Sequence, residues 1–281
     1  MSEPLQYVLE EAFALGEEGR WEEMAALLTG ALKEQPDDPY LLCWLGVAYR
    51  ELGHDAIAAD FFKRCWRQDP LDPELLATCG AGLAAFDDPD AEPVLRAAAL
   101  SGPDVPIARL QYGAYLAREG MFEPAFEHLQ AARELDPTDP VICGELAIAF
   151  ALKGDYVRAA GAFEETLSLA PEDSWSRVLL GLVYGELNDD EAAAETLVEA
   201  ADQRPDDAEA QLLAALAAAG VGWNDAAVAI LERAEYAEES VDAELLDEAR
   251  DRLEDDAAAA RAFLRDTVAP TALHDRLLQP I

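Results

Sequence analysis

Four cysteines, Cys43, Cys65, Cys79 and Cys143, and three histidines, His54, His128 and His274, are the side chains of this 281-residue chain best suited to metal or nucleophilic chemistry. A zinc site needs its thiolates and imidazoles clustered, usually through CxxC-type spacing. No cysteine here stands in such a motif and the histidines lie far apart, so the sequence predicts buried free thiols and no metal. Acid pairs such as Asp189 with Glu191 could serve as general acid and base, but among 58 carboxylates they read as solvated faces. The run from Asp87 to Glu92, DDPDAE, offers oxygen ligands without the central glycine or terminal glutamate spacing of a calcium loop. No glycine-rich phosphate loop, GxSxG or paired histidine and nucleophile is present. The expectation is a protein without catalysis and without a cofactor.

Net charge is −38, and only three of the 20 bases are lysines, Lys33, Lys63 and Lys153. A phosphate backbone would be repelled along such a chain, so nucleic acid is not expected as a partner. The surface also repels itself, and salt that screens it should steady the fold. The composition fits either a salt-rich cytoplasm or a GC-rich genome, which favours Ala, Arg and Asp over Lys. MSEPLQYVLEE has no basic, apolar leader character, and no run approaches the roughly 18 apolar residues of a membrane helix. A soluble, cytoplasmic protein is expected.

The elements that position these residues are announced by proline. Pro36, Pro70, Pro103, Pro137, Pro171 and Pro205 follow one another at 34, 33, 34, 34 and 34 residues. Proline cannot continue a helix but suits its first position. In ELDPTDPVICGELAIAF, Pro137 therefore stops one helix and Pro140 starts the next, with Asp139 at the N-cap. Asp38, Asp72, Asp173 and Asp207 repeat that cap, and Val105 is the exception in its column. Midway, Gly19, Gly53, Gly120, Gly154, Asn188 and Gly222 supply residues that tolerate left-handed φ, which predicts two helices per period joined by a tight turn.

Within the second unit, Leu45, Gly46, Tyr49, Ala58, Phe62 and Pro70 stand at offsets that resemble the tetratricopeptide repeat. Other units keep the scheme: Tyr112, Gly113, Leu116, Ala125 and Leu129; Leu146, Ala147, Phe150, Ala159 and Phe163; Leu180, Gly181, Tyr184, Ala193 and Leu197. Small residues belong where paired helices cross closely, and larger ones fill the gaps around them. The resemblance implies an all-α, right-handed superhelical solenoid of about seven helix–turn–helix repeats. We place the units at about 5–38, 39–72, 73–105, 106–139, 140–173, 174–207 and 208–239, making one elongated domain over 1–239. An acidic capping helix is expected over 240–256, and a C-terminal helix and tail over 257–281. The third unit is one residue short and has AAFDDPDAEP in place of its glycine turn, which predicts a bend or altered stacking there.

In this family the inner groove is lined mainly by the first helix of each unit. The resemblance implies groove residues Leu9 and Phe13; Tyr40, Cys43, Val47 and Arg50; Ile107 and Leu110; Val141 and Ile148; Trp175, Val178 and Leu182; and Leu212 and Leu216. The lysine and asparagines of members that clamp a C-terminal carboxylate are missing, so that function is not carried over. The apolar set suits an amphipathic or hydrophobic segment of a partner protein. Alternatively, such residues simply pack between adjacent first helices. Tyr40 and Trp175 either anchor a partner or brace an inter-repeat turn, and Arg50, Arg109 and Arg118 either meet a partner's acids or pair with neighbouring carboxylates.

Residues 257–281 depart from the acidity of the rest, with Arg261, Arg265 and Arg276 against Asp266 and Asp275, among Phe263, Leu264, Val268, Leu273, Leu277 and Leu278. This segment either caps the last repeat or occupies the groove of its own or another copy. The function expected is a non-catalytic adaptor, scaffold or co-chaperone with a protein or peptide partner. The alternative is a scaffold that self-assembles through its tail.

Overall fold

The structure, a computed structural model, describes residues 3–237 and 241–279. The boundary expected at 239–240 and the final two residues of the tail lie outside the described residues. Among the described residues every regular element is helical, and the helices gather into two compact units that divide between Asp136 and Pro137. The 34-residue period runs through that point unchanged, so the sequence carries no mark of a division and predicts one domain.

The first unit holds four helix pairs: α1 (Glu3–Glu17) with α2 (Trp21–Leu32), α3 (Pro39–Glu51) with α4 (Asp55–Trp66), α5 (Pro73–Ala84) with α6 (Ala91–Ser101), and α7 (Pro106–Arg118) with α8 (Phe122–Leu135). The second unit holds three more: α9 (Pro140–Leu152) with α10 (Tyr156–Leu169), α11 (Ser174–Glu186) with α12 (Asp190–Gln203), and α13 (Ala208–Gly220) with α14 (Asn224–Tyr236). It continues through α15 (Ala243–Asp255), α16 (Ala257–Phe263), a π turn (Leu264–Val268) and α17 (Ala269–Leu278).

Capping explains where the first helices begin. The carboxylate of Asp38 accepts from the amides of Tyr40 (3.0 Å) and Leu41 (3.1 Å), and that of Asp72 from Glu74 (2.9 Å). Asp139, Asp173 and Asp207 accept from Val141 (2.8 Å), Ser176 (3.1 Å) and Ala210 (2.9 Å). These are amides that no helical carbonyl can reach, and each cap contributes about 1 kcal/mol. Val105 caps α7 without a side-chain bond.

The pairs close around small residues. A Cβ built on Gly46 would lie 2.7 Å from the ring of Phe62, and one on Gly113 or Gly181 within 2.7 Å of Leu129 or Leu197, so glycine alone lets these helices cross. Phe62 is fully buried, between Gly46 and Gly82. The third unit keeps a left-handed turn without its glycine: Asp87 adopts φ 51°, the conformation held by glycines elsewhere and by Asn188 at φ 60°. Aspartate tolerates that region better than most residues, so the turn survives, and the missing residue shows instead in a short α6.

Turns between pairs are sealed by buried polar side chains. Gln211 donates to the carbonyls of Ala201 (2.5 Å) and Arg204 (3.1 Å), and Arg177 donates to the Pro171 carbonyl and to Gln203 (3.1 Å). Backbone carbonyls that would otherwise be orphaned in a buried turn are thereby satisfied.

Candidate functional site

In the first unit, α5 packs against both α3 and α7, and Phe13 of α1 meets Trp44 of α3 edge-on at 4.7 Å. Leu9, Cys43 and Leu110 are buried in this arrangement, whereas Tyr40, Val47 and Arg50 are half-buried. Phe13 and Ile107 stay exposed, at 39% and 38%. Phe13 on α1 and Ile107 on α7 are apolar side chains that a partner could cover.

In the second unit Val141 is 38% exposed and Trp175 half-buried, whereas Ile148, Val178, Leu182, Leu212 and Leu216 are buried. What covers this face is the chain's own C-terminal segment. α16 and the π turn lie against α13, and α17 continues onto α11 and α9, so the segment crosses the first helices of three successive pairs. Phe263, Val268, Leu273 and Leu277 join one core with Ile148, Val178, Leu182, Leu212 and Leu216.

Local chemistry shapes this segment. Asp256 caps α16 by accepting from the Ala259 amide at 2.8 Å. Pro270 cannot donate to the carbonyl four residues back and its ring crowds that turn, and the ladder widens there, the Ala269 amide reaching Leu264. Gly220 ends α13 without a side chain, and a Cβ there would lie 3.3 Å from that of Arg261.

Three arginines of the segment pair with acids of the second unit. Arg261 and Arg265 converge on Asp190, at 3.1 Å and 3.0 Å, and Arg261 also donates to the Gly220 carbonyl. Arg276 is only 5% exposed, lies over the Trp175 ring at 4.7 Å and pairs with Glu209. Its Nε is buried without an acceptor, a defect that costs about 1–3 kcal/mol. Sequence reasoning missed Asp190 and Glu209, because nothing separates two functional acids from 56 others before the arginines that meet them are placed. Glu209 does stand second in its unit, the offset held by Tyr40, Ile107, Val141 and Trp175 in theirs.

Tyr40 braces the next repeat, donating to Asp72 at 2.6 Å, and that bond, with partial burial, pushes its phenol up to about 12. Arg50 pairs with Glu51 at 2.8 Å. Arg109 donates to the Pro103 carbonyl and approaches His128, both at 3.2 Å. Desolvation and the Arg109 charge hold the His128 imidazole below its usual range. Arg118 donates to the Ala114 carbonyl at 3.3 Å. The four cysteines are free and buried, and burial pushes the Cys43 thiol up. Among the described residues no three His, Cys, Asp or Glu side chains converge to hold a metal, and no helix is long and apolar enough to cross a membrane.

Stacked helix pairs with a lined first-helix face define a class of protein–protein interaction modules. Tetratricopeptide repeat models match residues 9–73, 89–140 and 150–217, and the chain belongs to that family, whose fold is typically a non-catalytic scaffold. Comparison with curated protein sequences found no match. Among solved structures, the APC/C hetero-tetramer Cut9–Hcn1 aligns over 84% of this chain and 47% of its own, at 21% identity and a TM-score of 0.67. This chain thus corresponds to just under half of that one. PilW, a type IV pilus biogenesis factor, aligns over 72% of this chain and 94% of its own, at 21% identity and 0.62. TTC0263, a TPR protein of Thermus thermophilus, aligns over 63% and 97%, at 26% identity and 0.53. These likenesses are of fold.

Proposed function

We propose that this protein is a non-catalytic adaptor, scaffold or co-chaperone that binds an amphipathic or hydrophobic segment of a partner protein against the first helices of its repeats. The observation that carries the reading is the seating of residues 257–278 on α9, α11 and α13, where their apolar residues share one core with Val178, Leu182, Leu212 and Leu216. In the first unit the first helices leave Phe13 and Ile107 exposed and Tyr40 and Val47 half-buried. Burying such apolar side chains would supply the affinity, roughly 25 cal/mol per Å² before association costs.

The test is capture of partners from native lysate by wild type and by Phe13→Asp/Ile107→Asp, after confirming equal helical content. Both residues are exposed, so the variant should keep its fold. Proteins lost from the variant alone would support a receptor face on the first unit, and identical captures would remove it.

The self-assembling alternative uses the tail contact in trans, since a helix that seats on its own unit seats equally on another copy. Mass measured against concentration separates the two, because an adaptor stays monomeric where an exchanged scaffold does not.

A further inference from the structure

The segment on the second unit carries a small positive excess, three arginines against Asp266 and Asp275, in a chain of net charge −38, and each arginine meets an acid of the unit beneath it, Asp190 at the start of α12 or Glu209 in α13. Asp190 takes Arg261 and Arg265 near one end of the segment and Glu209 takes Arg276 near the other, with the apolar Phe263, Val268, Leu273 and Leu277 interspersed along it. A helix that only closed the last pair would have no reason to cross α13, α11 and α9 in turn. We propose that this face is a receptor for a basic amphipathic helix, that residues 257–278 are its internal occupant, and that a partner binds here by presenting the same chemistry and displacing them. The proposal deepens the interaction-module reading and rests on it.

The occupant is built for exchange. Its fit is imperfect at Arg276, whose Nε finds no acceptor, and its pairs to Asp190 are partly exposed, where ion pairs contribute little. The helix that carries it, α15, buries a single residue, Ala249. Tethering supplies what the fit lacks, because a linked ligand acts at an effective concentration on the order of millimolar. An untethered competitor must therefore bind better than the tail, and acids on the face reject acidic helices. Glu186 extends that acidity beside Arg261 and Arg265.

A labelled synthetic peptide of residues 257–279 tests this by fluorescence anisotropy, titrated with the full chain and with full-length Leu273→Asp/Leu277→Asp, which loosens the tail and leaves the face intact. Removing an internal competitor should raise apparent affinity by about tenfold or more. A peptide with Arg261, Arg265 and Arg276 changed to glutamate should not bind. If the double variant loses helical signal, Arg261→Ala/Arg276→Ala carries the same comparison. Absence of peptide binding by a folded, tail-loosened variant would overturn the receptor, and equal binding of the glutamate peptide would overturn its preference for basic helices. Concentration-dependent dimers of the wild type, lost in the variant, would overturn displacement by a partner in favour of exchange between copies. The test reads the second unit only, so it stands apart from the capture experiment on Phe13 and Ile107.

Discussion

The guanidinium of Arg276 lies over the ring of Trp175, 4.7 Å from its centroid, and joins the C-terminal helix to the first turn of α11. Trp175 is the aromatic that the repeat pattern offers either as a partner anchor or as a turn brace. It serves here as the platform for a basic side chain of the same chain.

Replacing that platform should loosen the tail. Trp175→Ala removes a largely desolvated cation–π contact, worth up to about 2 kcal/mol, together with apolar contact area. Urea unfolding should show a loss of about 2–4 kcal/mol, with limited proteolysis first cutting the segment after α14. A variant as stable as wild type would mean that the contact is incidental.

Tyr40 and Asp72 give a pH signature. The folded phenol is raised from 10 to about 12, chiefly because its hydroxyl donates a hydrogen bond to Asp72 and then through burial, so the neutral form is favoured by folding. Its contribution is complete below pH 10 and is lost as pH climbs through about 12. Tyr40→Phe should cost about 1 kcal/mol at neutral pH and flatten part of the alkaline loss. The loss will not vanish, since burial and Glu164 raise Tyr184 to about 12 as well. Equal alkaline profiles for both proteins would contradict the assignment.

Charge repulsion gives a third expectation. With 58 acids and 20 bases, the melting temperature should rise between about 0.05 and 1 M KCl as the Debye length falls to about 3 Å. The exposed ion pairs weaken over the same range but contribute little each. A flat response would show that self-repulsion does not limit this fold.

The aspartate caps and left-handed turns were legible because each depends on one residue at one offset. Pro137, Asp139 and Pro140 mark a helix boundary with no tertiary information, and Gly46 marks a close crossing with Phe62. Asp87 was harder: a rule written for glycine misses an aspartate that adopts the same φ. The candidate site was half-legible. The composition of residues 257–281 sets them apart as a segment that caps or docks, but periodicity identifies an amphipathic helix without identifying the face it meets. Asp190 and Glu209 became recognisable only when Arg261, Arg265 and Arg276 were placed beside them.

The most direct test is hydrogen–deuterium exchange on the full chain, comparing wild type with Leu273→Asp/Leu277→Asp. Seating on the first helices predicts faster exchange in residues 257–278 and also in α11 and α13, with α1–α8 unchanged. Acceleration confined to residues 241–278, with α11 and α13 unaltered, would contradict an occupied receptor face.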